Sequence, residues 1–528
     1  MDDRQAFLNE ILANPDDDTP RLIFADWLEE QGDPRGEFIR IQCEMEEVNH
    51  HEPLYYELQD RCHALLAAHG EDWASELKQD VKKTQFRRGF IETVTVLASR
   101  FLKEGAALYQ SAPIQWLRLN RLKGRGGELA ECEHLQHVTS LDLSSLKIPS
   151  DDLVPLLGSS NWNRLTGLCF NDLEVDNSVV QALGHAPFAK QLKSLSVRDI
   201  ESSEISQVPL TGNFDNLESL AFGTSYGTPY FGGMSFAVPN LKKLEIGGET
   251  SFSEIQQLDW SQLIELKLQN VELTSSHVRH LHEQGAFQNL TTLALVSTHM
   301  DDGDADLIFR DDQLVQCRAL SLESNYELSW AFLETMCEHA PLQGVEDLNL
   351  QNVRALNPRL FQSPVCENLK ELDLRNTDLT IDLLDAMADA NFRETLLRLD
   401  LDWGFESRDD AIGLHKLHYP SLTSLDVGYT YIGDDTFRKM VEANCFPALR
   451  RLVVNECSLT EKSLKLIAES EMFQNLRFLE FRNNKASNDT MYAVLDALPH
   501  LQMFNLYGTT GLRGRPKMRE ALGDRVKF

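Results

Sequence analysis

The sequence has no long apolar run and no cysteine pairs at a recognisable spacing. No stretch reaches the roughly 18 apolar residues of a transmembrane helix, so an integral membrane protein is not expected. The nine cysteines are scattered, which is typical of small buried residues in a reducing compartment. The start of the chain, Met1-Asp-Asp-Arg, lacks the basic and then apolar order of a secretory signal. These absences together predict a cytoplasmic protein.

Basic residues are scarce relative to acidic ones. Fifty lysines and arginines stand against 82 aspartates and glutamates, which gives a formal net charge of −32 at pH 7. A field of this sign disfavours nucleic acid and anionic membrane surfaces and favours basic partners. Solubility alone is an equally simple explanation, and composition does not separate the two.

The motifs that carry most enzymatic chemistry are also missing. There is no phosphate-binding glycine loop, no G-x-S-x-G, no H-E-x-x-H and no spaced pair of C-x-x-C motifs. The group His50, His51, Cys62, His63 and His69 matches no zinc-ligand spacing. The sequence therefore predicts a non-enzymatic protein with no cofactor and no metal.

What the sequence does contain is a repeat. Residues 369–379 read L-x-x-L-x-L-x-x-T-x-L, and the same spacing recurs from residue 114 almost to the C-terminus. The sixteen copies are separated by 22 to 28 residues and begin at 114, 138, 165, 192, 217, 241, 263, 290, 317, 345, 369, 396, 422, 449, 476 and 501. Self-similarity at a fixed period is the signature of a solenoid, and this pattern is the leucine-rich repeat.

Each repeat predicts a short strand followed by a return segment. Apolar positions 4 and 6 alternate with polar residues, as in a strand with one buried face. Position 9 holds residues such as Asn325, Thr377 and Asn484, which could bond backbone groups of the turn. The predicted fold class is therefore α/β, a solenoid with a parallel inner sheet and outer helices. A strand and a full helix in about 27 residues resemble the ribonuclease-inhibitor-like subclass, which implies a horseshoe.

Four segments are expected along the chain. Residues 1–85 lack the repeat and predict a small all-α domain, because apolar residues recur there at helical spacing. Residues 86–113 form an N-terminal cap and junction, and residues 114–510 form the solenoid. Residues 511–528 are predicted to close the C-terminal end, with Leu522, Val526 and Phe528 covering the last repeat.

The N-terminal helices carry a more specific pattern. Residues 21–42 read R-L-I-F-A-D-W-L-E-E-Q-G-D-P-R-G-E-F-I-R-I-Q. This resembles the repeat-companion domain of bacterial proteins, which reads R-L-x-x-A-D-W-L-E-E-x-G-D-x-R-x-E-F-I-R-x-Q and commonly precedes repeats. The resemblance covers residues 1 to about 45, implies a bacterial helical domain, and supplies no activity.

The charged residues of this motif have a structural interpretation. They predict ion pairs between adjacent helices, with Trp27 as an anchor in the core, and they are Arg21, Asp26, Glu29, Glu37 and Arg40.

A partner is expected on the concave face of the solenoid. Positions 3, 5 and 7 of each repeat face solvent there, and in the central and late repeats they are rich in acids. The predicted partner-binding residues are Asp347, Glu371, Asp373, Asp400, Asp402 and Asp426, together with the aromatic residues Trp116 and Phe478. Like charges side by side destabilise a sheet, so the aspartates suggest a basic ligand. A solvated acidic face is the simpler alternative.

A second candidate surface is a loop rich in glycine and aromatic residues. Residues 223–233 replace a helix and include Tyr226, Tyr230 and Phe231. Loss of a helix without any binding role is the alternative.

The leading functional hypothesis is a non-enzymatic protein-binding scaffold that uses its acidic concave face. The expected partner is a protein of unknown identity, the acidic face favours a basic one, and neither nucleic acid nor membrane is expected. The alternative is a regulator of an enzyme, of the inhibitor or GTPase-activating type, acting through concave-face residues. A third hypothesis is catalysis by the helical domain through Asp26, Asp33 and Glu37.

Overall fold

The structure is a computed structural model in which the chain divides into two compact units, Met1–Asp259 and Trp260–Phe528. The predicted loop with Tyr226, Tyr230 and Phe231 lies outside the described residues. The structure describes residues 3–50, 52–75, 77, 81, 83–200, 210–223, 234–235, 237–248, 258–309, 313–405, 411–516 and 522–528.

A strand begins two residues after each of the sixteen predicted repeat starts. The strands of the first unit are β1 (Lys83–Arg87), β2 (Phe90–Leu97), β3 (Trp116–Asn120), β4 (Ser140–Asp142), β5 (Gly167–Cys169), β6 (Ser194–Arg198), β7 (Leu210–Thr211), β8 (Ser219–Gly223), β9 (Met234–Ser235) and β10 (Lys243–Gly247). The strands of the second unit are β11 (Glu265–Gln269), β12 (Thr292–Val296), β13 (Ala319–Ser321), β14 (Asp347–Asn349), β15 (Glu371–Asp373), β16 (Arg398–Asp400), β17 (Ser424–Asp426), β18 (Arg451–Val453), β19 (Phe478–Glu480), β20 (Met503–Asn505) and β21 (Val526–Lys527).

Each unit contains a parallel sheet in which successive repeats are neighbours. In the first unit β1 and β2 pair antiparallel, and β2 to β6, β8 and β10 then pair parallel in turn. In the second unit β11 to β21 all pair parallel in chain order. The predicted leucine-rich repeat fold is confirmed by this register.

One buried residue per strand stacks directly on its equivalent in the next repeat. Leu372 pairs in register with Leu348 on one side and with Leu399 on the other, and all three are at most 2% exposed. Stacking of this kind removes every central leucine from water, which is the main favourable term in folding.

The segments that return between strands are partly α-helical and partly 3₁₀. The α-helices after the N-terminal domain are α5 (Ala98–Ser111), α6 (Gly126–Ala130), α7 (Ser150–Leu157), α8 (Asn177–Gly184), α9 (Ser275–Glu283), α10 (Ala305–Phe309), α11 (Trp330–Glu338), α12 (Ile381–Ala388), α13 (Gly433–Glu442), α14 (Glu461–Glu469) and α15 (Asn488–Ala497), numbered to follow the four helices named below. The repeat that begins at residue 345 instead has two 3₁₀ turns, Pro358–Gln362 and Pro364–Cys366. The ribonuclease-inhibitor-like subclass, which implies a full helix in every repeat, stays a prediction.

Position 9 of the repeat bonds the turn backbone, as predicted. The amide of Asn325 is buried, donates to the carbonyl oxygens of Leu295 (2.7 Å) and Leu322 (2.8 Å), and accepts from the N–H of Thr298 (2.8 Å). Asn484 does the same in its own repeat, donating to the carbonyl of Val454 at 2.7 Å. These bonds satisfy backbone groups that the turn would otherwise leave buried and unpaired.

The cysteines behave as expected from their spacing, and the C-terminal segment pairs with the last repeat, where Leu522 is only partly buried. All nine cysteines are free thiols, and seven of them are buried. The C-terminal residues return as β21, which pairs with β20, and Val526 and Phe528 are 2% and 4% exposed.

Substitution of Leu372 by Asp tests the register of the stack. The variant places an unpaired carboxylate among leucines, and we expect a loss of at least the ~2–5 kcal/mol that large-to-small core substitutions cost. Chemical denaturation followed by circular dichroism measures it. Ile381→Asp is the matched control, because Ile381 is 40% exposed at the first position of α12, where an acid is favourable. Equal stability of the two variants would contradict the register.

The N-terminal residues form four helices, in agreement with the prediction of an all-α domain. These helices are α1 (Asp3–Ala13), α2 (Thr19–Glu30), α3 (Arg35–Glu47) and α4 (Pro53–Ser75). The predicted ion pairs between α2 and α3 form on the surface, where Arg40 contacts Asp26 and Glu29. Trp27 is only partly buried, whereas Phe24 is 2% exposed and stacks on Phe90 of β2.

Arg21 does not pair with another helix, contrary to our expectation. Its side chain is fully buried and donates to Oε1 of Glu92 in β2 at 2.8 Å. Arg88 lies on the other side of the same carboxylate, with Nη2 at 3.2 Å from Oε2. Close packing reinforces this joint, because a Cβ at Gly89 would lie 2.1 Å from Cγ1 of Ile39. The helices and the first strands of the solenoid are therefore one packed body.

Substitution of Glu92 by Gln tests this buried network. The change leaves two buried guanidinium groups with only the partly exposed carboxylate of Asp18 as countercharge, and removing one partner of a buried ion pair costs about 3–5 kcal/mol. We expect a correspondingly lower unfolding midpoint, measured by urea denaturation. Glu29→Gln is the control, because Glu29 pairs with Arg40 on the surface and its loss costs below about 1 kcal/mol. A Glu92→Gln protein as stable as wild type would refute the importance of the joint.

Candidate functional site

The solvent-facing side of the second unit's sheet carries a row of three aspartates. Asp373 ends β15, Asp400 ends β16 and Asp426 ends β17. The backbone pairs Asp373 with Asp400, and Asp400 with Asp426, in direct register. The preceding residue of each strand is a buried leucine, so the alternation of a strand turns the aspartates toward solvent. Val453 takes the equivalent place on β18 and ends the row.

Each aspartate also shapes the turn that follows its strand. Oδ1 of Asp373, of Asp400 and of Asp426 accepts the N–H of the residue two positions later, at 3.0, 3.1 and 2.9 Å. Asn349 and Asn505 make the same bond in their repeats, at 2.9 and 3.2 Å. This turn needs a side-chain oxygen acceptor and not a negative charge.

One arginine offsets part of the negative charge. Nε of Arg375 lies 2.9 Å from Oδ2 of Asp373 and 3.6 Å from Oδ2 of Asp400. Hydrogen bonding to Asp373 raises the pKa of Arg375, and burial opposes this shift. The guanidinium of Arg375 therefore offsets part of the charge of Asp373 and Asp400, the first two aspartates of the row.

Asp402 adds a fourth carboxylate beside the end of the row. A Cβ built on Gly428 would lie 2.5 Å from Oδ1 of Asp402 and 3.2 Å from Oδ1 of Asp426. The two carboxylates therefore converge on the backbone of Gly428. Within the described part of the chain, neither Asp402 nor Asp426 forms an ion pair. The nearby Arg451 bonds Glu480 instead, at 3.3 Å.

Burial and mutual repulsion raise the pKa of three of these carboxyl groups. Burial first, and then the charge of Asp400, raise the pKa of Asp426 to about 7. The same two causes raise the pKa of Asp402 to about 6. The pKa of Asp400 itself is raised by burial and by Asp373. Near neutral pH Asp402 and Asp426 are thus only partly ionised, and a bound cation would stabilise their charged forms.

Asp347 and Glu371 lie two positions earlier in their strands, on the same face, and form a second row. The backbone pairs Asp347 with Glu371, and Glu371 with Arg398. Nη1 of Arg398 is 3.9 Å from Oε2 of Glu371. Both acids line a shallow depression of about 310 Å³ that also includes Asp373 and Asp400. The six predicted acidic residues thus share one sheet face.

The two aromatic residues predicted as anchors lie on other strands. Trp116 is 43% exposed, but it lies on β3 in the first unit, beside Ser140. Phe478 lies on β19, beside Arg451 and Met503, and is two strands away from Asp426. Neither residue lines the depression.

Two other aromatic residues, which the sequence analysis missed, lie at the end of the acidic row. Trp403 directly follows Asp402 and Tyr429 directly follows Gly428, and their rings stack with centroids 4.6 Å apart. Trp403 is 52% exposed. An aromatic residue at position 8 of two successive repeats was the available signal in the sequence.

The described residues give no sign of a metal site or a membrane span. No three His, Cys, Asp or Glu side chains in the described ranges are grouped to hold a metal ion. None of the described helices is both long and apolar enough to cross a bilayer.

Comparison with known proteins finds similar folds at low identity. No protein-family model and no curated protein matches the chain. The resemblance to the repeat-companion domain therefore stays a prediction.

Three solved structures illustrate the likeness. A leucine-rich repeat protein of Leptospira interrogans is 17% identical over 76% of this chain and 99% of its own, with a TM-score of 0.35. TLR13, solved in complex with a single-stranded RNA, is 16% identical over 78% and 64%, with a TM-score of 0.36. The yeast complex of Rad7 and Elc1 matches at 13% over 74% and 84%, with a TM-score of 0.37. The fold assignment rests on the register of this chain's own strands.

Substitution of Asp426 by Asn tests whether the charge of this carboxylate destabilises the folded protein. A carboxyl whose pKa is raised on folding binds more protons in the folded state, so wild-type stability falls as pH rises from about 4 to about 7. Asn keeps the acceptor for the N–H of Gly428 and removes the charge. We expect the variant to unfold at a higher temperature than wild type at about pH 8, and we expect this gain to vanish near pH 4. Scanning calorimetry at both pH values measures it.

Asp373→Asn is the control for this experiment. Arg375 already compensates the charge of Asp373, so its removal should bring no stabilisation at high pH. A pH-independent effect of Asp426→Asn would contradict the repulsion in the row.

Proposed function

We propose that this chain is a protein-binding scaffold whose acidic sheet face, in the second unit, takes a basic segment of a partner protein. The face consists of the row Asp373, Asp400 and Asp426 with the neighbouring Asp402. Catalysis is not part of the proposal, because an open sheet face does not exclude water from reactants.

The observation that carries the proposal is a charge that the fold does not need. The turn after each strand is made equally well by Asn349 and Asn505, yet three successive repeats use aspartate. Burial, and then the charge of the neighbouring aspartate, raise the pKa of Asp400 and of Asp426, so these charges destabilise the folded protein at neutral pH. Groups that destabilise a fold without a structural return are typical of functional sites.

The geometry suits an extended basic segment better than a small ligand. The carboxylates follow one another on adjacent strands, which are spaced about 4.8 Å apart. The adjoining depression is open, and polar side chains such as those of Ser321 and Asn349 are among those that line it. Charge complementarity of this kind speeds association and selects the partner.

We further place the protein in the cytoplasm. Its nine thiols are free and mostly buried, as expected in a reducing compartment.

The test uses a synthetic peptide that contains both lysine and arginine, with binding followed by fluorescence anisotropy. Asp402→Lys is the informative variant, because no described residue bonds the Asp402 carboxylate and the fold should tolerate the change. We expect the affinity to fall at least about tenfold, or ~1.4 kcal/mol. Binding by wild type should also weaken as salt is added.

Asp496→Lys is the matched control. It makes the same change in net charge, but Asp496 is exposed in the last turn of α15. If both variants lost affinity equally, only the overall charge would matter and the acidic face would not be the site. Absence of peptide binding by wild type would refute the proposal.

A further inference from the structure

Trp403 and Tyr429 stack on each other in the turns that follow adjacent strands. Together they form an exposed aromatic surface. The ring planes are inclined by only 14°, and half of the Trp403 side chain faces solvent. The backbone of the two residues is also joined, since the N–H of Trp403 donates to the carbonyl of Gly428 at 3.0 Å. A backbone hydrogen bond between the two turns that follow β16 and β17 therefore helps to hold the rings side by side.

The fold does not require aromatic side chains at this position. Trp403 and Tyr429 both have φ of 55°, a left-handed conformation that is uncommon for bulky residues. Asn352, Asn376 and Asn483 occupy the equivalent place in other repeats with φ of 54–62°. Asparagine tolerates this conformation, and Nδ2 of Asn376 bonds Oδ1 of Asn352 at 2.6 Å. The aromatic pair interrupts a position that asparagine fills at lower energy.

Negative charge lies directly beside the rings. Asp402 precedes Trp403 in the chain, and its carboxylate and that of Asp426 converge on Gly428, the residue before Tyr429. These are the two carboxylates of the acidic face without an ion pair in the described part of the chain. A group bound here would meet aromatic faces together with two carboxylates that form no ion pair with any described residue.

We propose that Trp403 and Tyr429, with Asp402 and Asp426, bind an arginine side chain of the basic partner segment. The guanidinium group is planar and weakly hydrated, so it stacks on aromatic rings and donates parallel N–H groups to carboxylates. A lysine ammonium is compact and strongly hydrated, and it would use only the charge. Nucleotides, whose bases also stack on aromatic rings, are disfavoured because the carboxylates repel phosphate. The inference rests on the proposed function and names the side chain that the face selects.

The experiment compares two peptides of equal length and charge, one with arginine and one with lysine at every basic position. Wild type should bind the arginine peptide about three- to thirtyfold more tightly, the range that cation–π contacts supply. The double variant Trp403→Asn/Tyr429→Asn should lose this preference and bind both peptides alike. Its unfolding temperature should equal or exceed that of wild type, because asparagine suits the left-handed backbone. Titration calorimetry measures the affinities for the two peptides, and thermal denaturation measures the unfolding temperature.

Tyr507→Leu is the control, since Tyr507 is 61% exposed and lies on another repeat. It should keep the arginine preference. Equal binding of the two peptides by wild type, with loss of both on Asp402→Lys, would overturn this inference and leave the proposed function standing. Absence of binding by either peptide would overturn both. A strongly destabilised asparagine variant would also overturn the inference, by showing that the aromatic pair serves the fold.

Discussion

The structure depends on one buried residue per repeat stacking on its neighbour across parallel strands. Leu372 between Leu348 and Leu399 is the pattern, and it recurs in every strand of the repeats. Because the stack needs only the next repeat, each unit of the chain can extend without a larger core. The same alternation that buries the leucines turns the residues before and after them outward. Burial of the core therefore also builds the exposed face that carries the acids.

Two roles meet in the acidic row. Asp373, Asp400 and Asp426 shape the turns after their strands, and this role alone would be filled by asparagine. Their charge has a different consequence, since burial and then repulsion between carboxylates on adjacent strands raise the pKa of Asp400 and Asp426. A basic ligand would relieve the repulsion, so stability in the free protein and affinity for a cation are expected to oppose each other. The aromatic pair beside the row also costs the free protein stability. In this case the cost comes from the left-handed backbone conformation and not from charge.

The helical domain packs on the first strands of the solenoid through a buried charge network. Arg21 of α2 and Glu92 of β2 are both fully buried and bonded to each other. Removal of either charge leaves the buried network with unequal numbers of positive and negative groups, which makes the joint sensitive to single substitutions. The helices thus cover the first strands of the sheet, whose backbone and apolar face would otherwise be open.

The repeat and its register could be predicted from sequence because every strand pairs with its neighbour in the chain. No long-range strand pairing had to be predicted. The strict spacing of Leu369, Leu372 and Leu374 distinguished the buried positions from the exposed ones. The row of aspartates followed from the same spacing. Contacts between side chains could not be predicted in this way: Arg21 finds a partner 71 residues away, and Trp403 stacks on Tyr429. Ionisation of Asp402 and Asp426 also lay beyond the sequence, because a pKa depends on burial and on charges that only folding brings together.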